Sequence, residues 1–83
     1  MDVELIKRRI EESIPGARAD VVDQAGGNHI AATIVAESFA GKTRMQRHQM
    51  IYSLFKSEMA TEEIHALTLK TFTPREHAEA SKE

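Results

Sequence analysis

Residues 42–57 carry Lys42, Arg44, Arg47 and Lys56 without one acid, in a chain of formal net charge −2. An island of cations can meet a carboxylate or a phosphate, or it can be a solvated helix face. His48 lies inside it, where an imidazole can cap, pack beneath the preceding loop, or lie beside a bound group. Three more histidines stand at 29, 65 and 77. His65 falls among alternating apolar residues, either as a half-buried ring satisfied by a carbonyl or as an available ligand. His29 flanks a turn, and His77 sits in a polar terminal segment and reads as solvated. There is no cysteine, so no disulfide forms and any thiolate chemistry must come from a partner. Ser38, Ser53 and Ser57 lack a Gly-x-Ser-x-Gly setting, and no acid–base pair is placed by spacing. The chain does not read as an enzyme.

Regular elements must position these residues. Val3, Ile6, Ile10 and Ile14 fall on one stripe, so residues 2–14 read as an amphipathic helix, capped by Asp2 and ended by Pro15-Gly16. Residues 17–24 alternate weakly as a strand, with Ala17, Ala19 and Val21 on one side. Ala25-Gly26-Gly27-Asn28 is a turn cluster suited to joining antiparallel strands. A second strand follows over 29–36, with Ile30, Ala32, Ile34 and Ala36 on one face.

A loop then turns on Gly41 and launches the basic helix, expected over 43–59. Thr43 and Gln46 have capping-box spacing. Ile51, Leu54, Phe55 and Met59 form its apolar stripe, with Met45, His48 and Tyr52 at the edge. Thr61-Glu-Glu-Ile reads as a helix-turn cap. A third strand is expected over 64–72, with His65, Leu67 and Leu69 pointing one way. Thr73-Pro-Arg-Glu76 is a second capping box, with proline at the first helical position. The order helix–strand–strand–helix–strand–helix implies an α+β domain whose third strand joins a mixed three-stranded sheet.

The 83 residues make a single domain, able to bury roughly 60–65% of its unfolded surface. No apolar run approaches the ~20 residues that span a bilayer. The N-terminus alternates charged and apolar residues, unlike a signal peptide, so a cytoplasmic address is the default. The slight negative charge argues against strong non-specific nucleic-acid binding by the whole surface.

Phe39-Ala-Gly-Lys-Thr-Arg-Met-Gln-Arg-His-Gln-Met-Ile-Tyr52 resembles the signature of the BolA-like family, in which a Phe-x-Gly loop leads to an Arg-His helix start. Asn28-His29 and the segment Ile64-His-Ala-Leu-Thr-Leu-Lys-Thr-Phe-Thr-Pro74 are similar to two further blocks of that family, in order and at fitting distances. The resemblance covers nearly all of residues 1–83. It implies a class II KH-like fold and a monothiol glutaredoxin partner. The two chains would bridge a [2Fe–2S] cluster, with glutaredoxin cysteine and glutathione supplying thiolates. The family's closing-strand histidine maps to His65. Its second ligand, a Cys or His of the hairpin region, has His29 as its candidate here.

Imidazole in place of thiolate raises the potential of such clusters in Rieske centres, which suits maturation, trafficking or iron sensing. The contact patch for partner or nucleic acid is Lys42, Arg44, Arg47 and His48. The alternative is a DNA-binding transcriptional regulator using the basic helix 42–56. Against it, the chain lacks the Gly-x-x-Gly clamp of KH domains, and Tyr52 is the one aromatic near the patch. The isolated chain is expected as a monomer or weak dimer.

Overall fold

A computed structural model describes residues 1–26 and 28–81. It contains helix α1 (Val3–Ser13), strands β1 (Arg18–Ala25) and β2 (His29–Val35), a 3₁₀ turn (Glu37–Phe39) and helices α2 (Arg44–Leu54) and α3 (Lys56–Ala60). Strand β3 (Ala66–Phe72) and helix α4 (Pro74–Ala80) complete it. Gly27, the centre of the expected hairpin turn, lies outside the described residues. β1 and β2 pair antiparallel, β2 and β3 pair parallel, and the order is β1-β2-β3. This is the expected mixed sheet.

The helices start where side chains can satisfy their free N–H groups. Asp2 accepts from the Glu4 amide at α1. Thr43–Gln46 and Thr73–Glu76 form complete capping boxes at α2 and α4. Gly16 and Gly41 take φ of +75° and +77°, a region that favours glycine.

One face of the sheet is buried beneath α1 and α2. Ala19 from β1, Ile30, Ala32 and Ile34 from β2, and Leu67 and Leu69 from β3 meet Ile6, Ile10, Phe39, Ile51 and Phe55 there. The opposite face carries His29, Ala31, Thr33 and Val35 in register with Ala66, Thr68, Lys70 and Phe72, all exposed or half-buried. α4 covers one end of that face. Its His77 is half-buried and meets Phe72 edge-on at 5.6 Å between centroids, which corrects the expectation of a solvated ring.

Helix side chains bond to each outer edge strand of the sheet at one residue. On β1, Lys7 Nζ donates to the Ala19 carbonyl at 2.9 Å, and the Ala19 amide donates to Glu11 at 3.0 Å. On β3, the Tyr52 hydroxyl donates to the Leu67 carbonyl at 3.1 Å. An edge strand otherwise offers a row of unpaired groups to another chain.

Two boundaries and one side-chain placement differ from expectation. The basic helix does not run unbroken from 43 to 59; it divides at Phe55, where φ is −124° and ψ is 22°. Phe55 is thereby fully buried. Arg9 caps the freed Leu54 carbonyl at 2.9 Å, lies 5.0 Å over the Phe55 ring and pairs with Glu58 at 3.0 Å. The third strand begins at 66 rather than 64, because the chain turns through Glu62 at φ +63° and first buries Ile64. Met45, expected at the edge of the apolar stripe, is 71% exposed. No helix among the described residues is long and apolar enough to cross a membrane.

Candidate functional site

Parallel pairing of β2 and β3 brings two distant histidines together. His29 is the first residue of β2 and lies opposite Ala66, so His65 stands beside it at the same end of the sheet. The Asn28 carbonyl accepts from both the His65 amide at 2.8 Å and the Ala66 amide at 3.1 Å, which pins the two strand starts together. The imidazole rings are 5.2 Å apart between centroids and tilted by 36°. Both side chains are exposed. His65 Nδ1 lies 3.8 Å from Glu62 Oε1, where proton charge on the ring would create an ion pair. By local spacing the Thr61–Ile64 run reads as a cap alone. The i,i+3 spacing of Glu62 and His65 was the available signal for this carboxylate.

Two neutral imidazoles in this position can act as a pair of nitrogen donors. On one tetrahedral ion with metal–nitrogen bonds of about 2.1 Å, two imidazole centroids lie about 5 Å apart. The observed centroid spacing is compatible with two rings on a single metal centre. No group of three or more His, Cys, Asp or Glu able to hold a metal occurs among the described residues. A metal here would draw its remaining ligands from another molecule.

The basic patch divides. Lys42 and Arg44 are exposed at the start of α2. Arg47 is not part of their surface: its side chain is 11% exposed. Its guanidinium donates to Glu76 at 2.7 and 3.2 Å, to the Lys42 carbonyl at 3.0 Å and to the Thr71 carbonyl at 3.4 Å, and lies over the Phe39 ring. The expected contact role for Arg47 is corrected accordingly: it ties the loop, α2, β3 and α4 together. The neutralising acid lies 29 residues away in sequence, outside any local charge count. Arg47 in turn holds the Glu76 carboxyl at about 2, with help from the Thr73 amide.

His48 is half-buried between α2 and β3, and its Nε2 is sealed without a hydrogen-bond partner. Its ring meets Tyr52 edge-on at 6.4 Å and has no ring contact with His29 or His65 among the described residues. Burial, then the nearby Arg44 charge, pushes its pKa below the ordinary value.

These features describe a small α+β domain that presents a histidine pair at one open end of a sheet. The family model described as BolA-like protein matches residues 3–76, and the chain belongs to that family. It is 36% identical over 84 residues to the DNA-binding transcriptional regulator BolA of Escherichia coli, covering 87% of this chain and 79% of that one. Its fold is similar to a BolA protein homologue from Coxiella burnetii, with 32% identity, a TM-score of 0.73 and coverage of 94% and 97% of the two chains. It is likewise similar to the BolA domain of SufE1 from Arabidopsis thaliana, with 30% identity, a TM-score of 0.78 and coverage of 88% and 92%.

Proposed function

We propose that this chain is a non-catalytic partner of a monothiol glutaredoxin and shares a [2Fe–2S] cluster with it through His65 and His29. The observation that carries the reading is the exposed histidine pair, with rings 5.2 Å apart. The residues fit half of a cluster's ligand set, two nitrogens and no thiol. Glutaredoxin cysteine and glutathione would supply the rest. The cluster supplies a redox-active and transferable iron centre when bound. The chain's own part is to hold two imidazoles at fixed separation on a rigid sheet end, through the Asn28 carbonyl and the β2–β3 register. The proposed work is iron–sulfur maturation, trafficking or iron sensing, in a cytoplasmic setting where thiols stay reduced.

The test is a visible absorption and circular dichroism titration of glutathione-loaded, cluster-bearing glutaredoxin with wild type, His65→Ala and His29→Ala. Wild type should shift the spectrum at one equivalent, and His65→Ala should abolish the shift. His29→Ala decides the second ligand. An identical spectrum with and without the wild-type chain defeats the proposal.

A second reading, DNA-binding regulation by residues 42–56, draws on the exposed Lys42 and Arg44 and on the regulator to which the chain is similar. It predicts metal-independent DNA affinity that falls steeply with salt. The withdrawal of Arg47 into the interior leaves fewer cations for phosphates and makes this the weaker reading.

A further inference from the structure

A cleft of about 440 Å³ runs between the first turns of α2 and the outer edge of β3, lined by Arg44, His48, Leu69, Lys70, Thr71 and Phe72. Its lining holds two cations and no acid. Among the described residues, only two buried side-chain polar atoms lack a hydrogen-bond partner: His48 Nε2 and Thr71 Oγ1. The two residues that carry them both line this one cleft. Buried polar groups are nearly always satisfied, and an orphan calls for a missing partner. Arg44 and Lys70 are exposed and form no ion pair among the described residues. The strong cation of the same helix, Arg47, is by contrast fully engaged with Glu76 and backbone carbonyls.

Every polar side chain of the lining can donate. Arg44 and Lys70 are cationic donors, the threonine hydroxyl can donate as well as accept, and a neutral imidazole donates through one nitrogen and accepts through the other. With two cations and no acid in the lining, a group that accepts, carries negative charge and offers more than two oxygens suits such a set. A phosphate monoester is such a group. Phe72 adds an apolar wall for a small organic body. We infer that the α2–β3 cleft binds the phosphate monoester of a small molecule through Arg44, His48, Lys70 and Thr71. The site is separate from the histidine pair and stands independently of the proposed cluster role. His48 Nε2 and Thr71 Oγ1 are sealed behind the cleft wall rather than open to it, so binding includes a local parting of α2 from β3 at that point.

Nuclear magnetic resonance on the full chain tests this with phenyl phosphate as the probe, against sodium chloride and sodium acetate at matched ionic strength. Phenyl phosphate should give saturable shifts at the His48 ring and at the Lys70 and Thr71 amides, which chloride and acetate do not reproduce. Arg44→Gln and Thr71→Val should each weaken the apparent affinity about tenfold or more, as expected for one lost hydrogen bond to a charged group. Both substitutions sit where folding is tolerant: Arg44 is exposed, and valine keeps the shape of a threonine whose hydroxyl is unpartnered. Shifts that follow ionic strength alone overturn the inference. So does an equal response to acetate, a response to duplex DNA without one to phenyl phosphate, or a response unchanged in both variants.

Discussion

Replacing Arg47 with methionine separates an internal clamp from a surface contact. Methionine keeps an apolar stem and removes the guanidinium, with its approach to the Phe39 ring. The Lys42 carbonyl then loses a charged donor at 3.0 Å, and the 3.4 Å approach to the Thr71 carbonyl is too long to count for much. A hydrogen bond from a charged group contributes about 1.5–3 kcal/mol. Solvent screens the half-exposed Glu76 carboxylate, so the carbonyl bond carries the estimate, at about 1.5–3 kcal/mol. For a domain of this size each kcal/mol moves Tm by about 4–8 °C, so Arg47→Met should melt roughly 6–24 °C below wild type.

The pH dependence supplies a second arm. The folded-state pKa of Glu76 is depressed from 4.5 to about 2, chiefly by Arg47. The unfolded chain therefore binds more protons in that window. The wild-type contribution is full above 4.5 and is lost as pH falls toward about 2. Arg47→Met should flatten this part of the acid profile, leaving the share due to the Thr73 amide. Thermal melts at neutral pH and at about pH 3 read both effects. A variant melting within about 2 °C of wild type at neutral pH, with the acid profile unchanged, refutes the clamp.

Two further outcomes follow from single residues. The folded-state pKa of His48 is lowered by burial and Arg44, so its stability contribution is complete above the ordinary value of 6.5 and is lost as pH falls below it; His48→Phe should remove that slope in urea titrations across this range. A Cβ built on Gly41 meets nothing within 4 Å, but φ is +77°, so Gly41→Ala should cost about 1–2 kcal/mol from backbone strain alone, read as a lower urea midpoint with unchanged slope.

Features written in local spacing were legible in the sequence. The α1 stripe, both capping boxes and the alternation of β2 depend on residues within a few positions of one another. So does the inward set of β3, Leu67 and Leu69. What escaped depends on distant partners. Helix 43–59 breaks because Arg9 from α1 can cap Leu54 and cover Phe55, a contact spanning 45 positions. Arg47 reads as one more surface cation until α4 delivers Glu76. For the candidate site, His65 and His29 could be singled out as residues, but their ring contact depends on the β2–β3 register. No local pattern sets a parallel register, whereas a short hairpin sets its own.

The side chains that cap the sheet edges act like chain stoppers in a polymerisation. A three-stranded sheet is a fragment of a structure that could in principle grow without limit by adding strands at either side. Here Lys7 and Glu11 end it at Ala19, and Tyr52 ends it at Leu67. A newcomer strand would have to break these bonds before gaining its own. Growth sideways is thus suppressed, while the end bearing His29 and His65 stays clear. Each flank of the sheet therefore carries a barrier to an added strand, at Ala19 on one side and Leu67 on the other.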